Sequence, residues 1–171
     1  MYCPACNHTR NPPGADACEN CGLPLVLTDE PALHGRVERS LMTDPVSALD
    51  PRGPVTVPAD SALGDAMALM IERRVGAVLV VGSAGELVGI LTERDFLTRV
   101  AGRPGFEHLP ARDFMTRDPE TVSPADTLAF ALGKMDAGGY RHLPVVAAGR
   151  PVGMVSVRDV LRHVTRLSQG G

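Results

Sequence analysis

The sequence predicts an α+β protein, a duplicated βαββα unit preceded by a small cysteine-rich module. Three observations predict it. An internal repeat of about 65 residues fills most of the chain. Within each copy the apolar residues switch between helix spacing and strand spacing. All four cysteines lie between Cys3 and Cys21, so that end needs a local explanation.

At 171 residues the chain is long enough for one well-buried domain, or for a compact two-lobed unit with an appendage. With 44% hydrophobic, 22% charged and only 4% aromatic residues, a globular core must be filled by Val, Leu, Ala and Met. A net charge of -3 supplies no global field toward nucleic acid or an anionic membrane. The apolar run Ala77–Val81 falls far short of the roughly 20 residues that span a bilayer. The N-terminus also lacks a basic-then-apolar signal segment, so a cytoplasmic location without membrane contact is expected.

The first element, residues 1–25, holds Cys3, Cys6, Cys18 and Cys21 as two C-x-x-C pairs. Two residues between thiolates place both sulfurs on one tight turn, and two such turns complete the tetrahedral four-sulfur shell that zinc prefers. Asn7 and Gly22, which tolerate positive φ, follow the second cysteine of each pair. A closed structural Zn2+ site is the favoured reading. Disulfides would need an oxidising compartment, and redox catalysis is the remaining alternative. A segment this short cannot bury enough apolar surface to fold alone, so metal must supply its stability. Four cysteines saturate the shell, which leaves His8 as an exposed side chain. The Cys-Pro-x-Cys and Cys-x-x-Cys-Gly knuckles resemble those of zinc-ribbon modules, which bind proteins, nucleic acids or only their own neighbour.

Residues 26–40 form the connection. Leu33, Val37 and Leu41 recur at helical spacing with Arg36, Glu38 and Arg39 between them, which predicts a short amphipathic helix docked on the domain that follows. The two copies then span 41–104 and 105–171. Leu41-Met42-Thr43-Asp44 is echoed by Phe114-Met115-Thr116-Arg117, and Thr56-Val57-Pro58-Ala59-Asp60 by Thr121-Val122-Ser123-Pro124-Ala125-Asp126. Helices are predicted at Leu63–Arg73 and Leu128–Ala137. Strand pairs are predicted at Ala77–Val81 with Leu87–Leu91 and at Leu143–Val146 with Val152–Val155. Gly89-Ile90-Leu91-Thr92-Glu93-Arg94-Asp95 matches Gly153-Met154-Val155-Ser156-Val157-Arg158-Asp159, and a helix follows each. The extra Pro- and Gly-rich residues between Thr43 and Thr56 read as an inserted loop. Each copy gives a three-stranded sheet with helices on one face, and two copies are expected to pack about a pseudo-twofold axis to cover their apolar surfaces.

On pattern alone, Thr92-x-x-Asp95 and Ser156-x-x-Asp159 are helix starts, with a hydroxyl cap and an acid closing a capping box. The same corner can also receive a ribose and a phosphate. The Met-Thr opening, the Val-x-Pro stretch and the Gly-φ-φ-[Thr/Ser]-x-x-Asp ending, twice in register over about residues 41–167, resemble the CBS domain and its tandem arrangement, the Bateman module. The resemblance implies an adenine nucleotide (AMP, ATP) or S-adenosylmethionine as ligand. It implies that Asp95 and Asp159 hold ribose hydroxyls and that Thr92, Ser156, Arg94, Arg158, Arg141 and His142 lie near phosphate. It places the base against Thr56, Val57, Val78 and Leu79 in one copy and Thr121, Val122, Leu143 and Pro144 in the other. Arg141 and His142 correspond to Gly76 and Ala77, so two unequal sites are expected. Arg158, Arg162 and Arg166 form a basic stripe on the last helix, read first as a solvated face.

No nucleophile, base and orienting acid assemble in the sequence, and His34, His108 and His163 are expected to stand alone, so the chain is read as a non-enzyme. The function expected is a nucleotide-sensing regulator, a homodimer through its repeats, with the zinc module contacting a protein partner. The alternative is a nucleic-acid-binding or transcription-associated adaptor with the repeats as dimerisation scaffold. Overall acidity and a single lysine, Lys134, count against it.

Overall fold

The structure, a computed structural model, describes residues 2–12, 15–25 and 35–169. Helix α1 (Arg36–Thr43) ends at Asp44 and leads to a 3-10 turn at Val46–Leu49. The first repeat follows as β1 (Thr56–Pro58), α2 (Leu63–Arg73), β2 (Ala77–Val81), β3 (Leu87–Thr92) and the short helix α3 (Glu93–Asp95), which continues as a π-turn at Phe96–Val100. The second runs through β4 (Thr116–Arg117), α4 (Leu128–Gly138), β5 (His142–Ala147), β6 (Arg150–Ser156) and α5 (Val157–Gln169). Two compact units form: Arg52–Thr121 with Pro144–Met154, and the described residues of Met1–Pro51 with Val122–Leu143 and Val155–Gly171.

In the unit around the first repeat, the four-stranded sheet has the order β1-β2-β3-β4, with β1 parallel to β2 and the other pairs antiparallel. Strand period two sorts β2 cleanly. Val78 and Val80 face the helix side, joining Leu63, Ala66 and Met70 of α2, which lie at helical spacing on its buried face. Ala77 and Leu79 point the other way, where Ile90, Leu87 and Met154 cover them. Both faces are therefore buried along β2, one of them under helix α2 as the repeat pattern predicts. Gly89 lets the edge strand approach. A Cβ there would come within 2.4 Å of Met115 Sδ and 3.0 Å of the Thr116 carbonyl oxygen.

The second repeat buries Leu128, Ala131 and Met135 of α4 at the same spacing. Both long helices end in a left-handed residue, Arg74 at φ 53° and Gly139 at φ 63°. Two expectations are corrected. The second copy has no full first strand, since Val122 is a single bridge residue, and its β5 and β6 form a two-stranded sheet. The stretch expected as a loop after Thr43 carries the 3-10 turn, pinned by buried Val46 and Leu49 and by Val46 N–H donating to the Asp126 carbonyl at 2.7 Å.

The connection is helical from Arg36, and Val37 and Leu41 are half-buried as the stripe requires; Leu33 and His34 lie outside the described residues. Helix α1 packs on α4 and α5, both from the second copy, where docking on the domain directly after it was expected. The Met-Thr echo also takes two shapes, closing α1 in the first copy and entering β4 in the second.

Candidate functional site

The two cysteine knuckles fold by one rule. Cys3 N–H donates to the His8 carbonyl at 2.8 Å and Asn7 N–H to the Cys3 carbonyl at 3.0 Å; Cys18 and Gly22 repeat this with Leu23 and Cys18, both at 2.8 Å. Asn7 at φ 59° and Gly22 at φ 72° make the reversals. Buried Asn11, which the spacing did not flag, ties the knuckles: its Oδ1 accepts Glu19 N–H at 2.9 Å and its Nδ2 donates to the His8 carbonyl at 3.4 Å.

The four sulfurs lie within 4.8 Å of one another, with Cys3–Cys21 and Cys6–Cys18 at 3.6 Å. A tetrahedral site with Zn–S near 2.3 Å has sulfur–sulfur edges of about 3.8 Å, so the donor set fits zinc. The thiols resist ionising together. Burial pushes Cys3 up, and burial reinforced by the Cys6, Cys3 and Cys18 thiols pushes Cys21 up. Burial also opposes ionisation of Cys18, but the N–H groups of Cys21 and Asn20 with the Cys6 and Cys3 thiols outweigh it and bring it down to about 6. The Cys18 thiolate forms readily, whereas Cys3 and Cys21 need a cation. His8, expected to be exposed, is half-buried, and its Nε2 is buried with no hydrogen-bond partner among the described residues.

At the two helix starts the capping reading is realised in full. Asp95 Oδ2 accepts from Thr92 N–H at 2.9 Å and from the Thr92 hydroxyl at 2.7 Å. Asp159 Oδ2 accepts from Ser156 N–H at 2.8 Å and its hydroxyl at 2.6 Å. Equivalent backbone bonds anchor both corners, Glu93 N–H to the Gly76 carbonyl at 3.1 Å and Val157 N–H to the Arg141 carbonyl at 3.2 Å. The second oxygen of each acid faces an arginine one turn on. Arg99 Nη1 stands 3.5 Å from Asp95 Oδ1 and also donates to the Phe114 carbonyl at 2.7 Å; Arg162 Nη1 is 3.2 Å from Asp159 Oδ1. Arg99 was missed and Arg162 was read only as part of the solvated stripe, although their i+4 and i+3 spacings from the acids were visible.

Arg94, Arg158 and Arg141 are exposed, and His142 is half-buried with an interaction of its own. Val57 and Val78 belong to the core under α2, and Leu79 to the opposite cluster, while Thr56 is exposed on edge strand β1. Val122, Leu143 and Pro144 are buried and Thr121 half-buried. Two open grooves of about 520 and 540 Å³ share Arg99 and Asp113; Phe114 to Arg117 of the repeat's Met-Thr echo help line them, and none of the candidate ligand residues does. Arg158, Arg162 and Arg166 are all exposed, as a solvated stripe requires.

One histidine is not alone. His163 Nε2 lies 2.7 Å from the hydroxyl of buried Ser40 and 3.6 Å from Asp44 Oδ2, while Ser40 itself donates to Asp44. Hydroxyl and carboxylate approach the same ring nitrogen, which is not the relay order of a Ser-His-Asp triad. His108 is exposed beside Glu107.

Residues 37–102 and 111–166 match the family model described as CBS domain. A CBS domain-containing protein of Arabidopsis thaliana is 37% identical over 123 residues, 68% of this chain and 22% of that protein. The chain thus spans about a fifth of the length of the first curated relatives it matches. The CBS domain of a membrane protein from Sphaerobacter thermophilus aligns with TM-score 0.62 at 31% identity, covering 74% of this chain and 91% of the other. A CBS domain protein from Pyrobaculum aerophilum, complexed with AMP, aligns with TM-score 0.64 at 28% identity, covering 71% and 98%.

Proposed function

The chain belongs to the CBS domain family and carries that domain in tandem, and from this premise we propose that it is a regulatory sensor of an adenosyl ligand with a zinc-stabilised N-terminal module. The reading takes residues 1–25 as the metal module, 26–40 as the connection, and 41–104 and 105–171 as the two repeats. It is regulatory and not catalytic.

One observation carries the ligand reading: the same hydroxyl–carboxylate corner occurs at the starts of α3 and α5, anchored by equivalent backbone bonds. Each acid spends one oxygen on its helix start and presents the other beside an arginine. A ribose hydroxyl donating to that second oxygen displaces an ion pair whose arginine is exposed in both copies. The AMP complex of the Pyrobaculum aerophilum relative supports an adenine nucleotide as the class. Thr92 and Ser156, with Arg94, Arg158, Arg141 and His142, are the residues we assign to phosphate, and the second corner, with more cationic groups, is the stronger candidate for a charged ligand.

Cys3, Cys6, Cys18 and Cys21 would hold Zn2+, which supplies structural cross-linking and no chemistry. A homodimer through the repeats completes the reading. No helix among the described residues is long and apolar enough to cross a membrane.

Calorimetry of the full chain with AMP, ATP and S-adenosylmethionine tests the proposal. Each of Asp95→Ala and Asp159→Ala is expected to weaken binding at its own corner at least about tenfold, from loss of a charged acceptor. Unchanged binding in both variants rejects the assignment.

A further inference from the structure

The metal module does not hang free within its unit. Its apolar cluster of Cys3, Ala5, Cys18 and Leu25 packs against Ala129, in the first turn of α4. Thr127, the buried N-cap of α4, donates its hydroxyl to the Ala5 carbonyl, between two of the zinc-type ligands, and accepts from Phe130 N–H at 3.2 Å. The next residue continues the path, since Leu128 N–H donates to the Asp44 carbonyl at 3.0 Å. Asp44 caps α1, its carboxylate accepts from Ser40, and the Ser40 hydroxyl meets His163 of α5. His163 lies one helical turn beyond Asp159.

We propose that metal occupancy of the four-cysteine centre sets ligand affinity at the Asp159 corner, so that the chain integrates a metal or thiol-state signal with a nucleotide signal. The proposal rests on the metal and nucleotide readings above. With metal bound, the first knuckle is rigid and offers the Ala5 carbonyl at a fixed point. Without it the module leaves its seat, the buried Thr127 hydroxyl loses its acceptor, and Ala129 loses its cover. The first turn of α4 then loosens, and with it the Asp44–Ser40–His163 contacts that seat α5. Coupling through packed, hydrogen-bonded elements requires two arrangements of those elements, here the docked and undocked module. It is reciprocal: whatever factor zinc applies to nucleotide affinity, nucleotide applies to zinc affinity.

The test measures AMP affinity by calorimetry in the Asp95→Ala background, so that only the Asp159 corner reports, for zinc-loaded and chelator-stripped full-length protein. The expected ratio is about fivefold or more, the lower end of ordinary coupling. Thr127→Val should reduce the ratio to one, and Thr127→Ser should preserve it. Equal affinities with and without zinc overturn the proposal, as does a ratio that survives Thr127→Val. Hydrogen exchange separates its failure from that of the nucleotide reading. Stripping zinc should speed exchange in residues 128–131 and 157–163 whether or not AMP binds, and unchanged exchange there overturns the path. Absence of AMP binding with altered exchange removes the nucleotide reading and this coupling to it, while leaving the module's docking intact.

Discussion

Zinc affinity of the N-terminal module should climb steeply with pH, and the steepness can be worked out from the thiols. Zinc binds thiolates, so every thiol protonated in the metal-free fold must release a proton on binding. Cys3 and Cys21 are both pushed up from their ordinary value by burial and therefore carry protons at neutral pH. Cys18, brought down to about 6, has already lost its own. At least two protons must leave near pH 7.5, which makes the apparent affinity rise at least about a hundredfold per pH unit. The sign follows directly: protons compete with metal, so affinity falls as pH falls. Below about pH 6 Cys18 becomes protonated as well, and the slope should steepen by one further proton. Competition against a chromophoric chelator between pH 5.5 and 8 gives the slope. Calorimetry in buffers of different ionisation enthalpy counts the protons independently. At free zinc about a hundred times the dissociation constant, the metal should stabilise the folded module by about 2.7 kcal/mol. A slope below two protons near pH 7.5, or one that does not steepen below pH 6, refutes the picture of protonated Cys3 and Cys21 beside an ionised Cys18.

Without ligand, Asp95→Ala and Asp159→Ala should each lower stability by about 1 kcal/mol, because each removes the acceptor for a helix-start N–H and hydroxyl. Thermal midpoints should drop by about 2–4 °C in each, Asp→Asn should lose less, and unchanged midpoints show the caps to be ornamental. Arg74→Gly should raise stability by about 0.5–1 kcal/mol, since Arg74 sits at φ 53° where the second copy has Gly139; a lower denaturation midpoint contradicts this. Gly89→Ala should destabilise by about 1–3 kcal/mol by forcing Met115 and the β4 backbone away, and an unaltered midpoint means the edge strand yields freely.

The repeat was legible because both copies bury the same helix positions, Leu63, Ala66 and Met70 against Leu128, Ala131 and Met135, and period alone finds such a face. The helix corners were legible for the same reason: a hydroxyl and an acid three residues apart form a local device, complete within one turn. What the sequence hid is everything that joins residues far apart in the chain. Ser40 and His163 look unremarkable in their own helices, and only the packing of α1 on α5 makes them partners. Thr127 reads as an ordinary cap, yet its hydroxyl spends its proton on Ala5, 122 positions away. Divergence between copies was hidden too, because Met42 and Met115 share one motif while their backbones differ, helix end in one and strand entry in the other. A motif specifies which side chain must be buried; the neighbours decide which backbone carries it there. By that logic the N-terminal module was half legible. Its cluster of four sulfurs follows from spacing, whereas its seat on α4 follows from an alanine and a threonine that no pattern distinguishes, and that seat would give a bound metal its path to the rest of the unit.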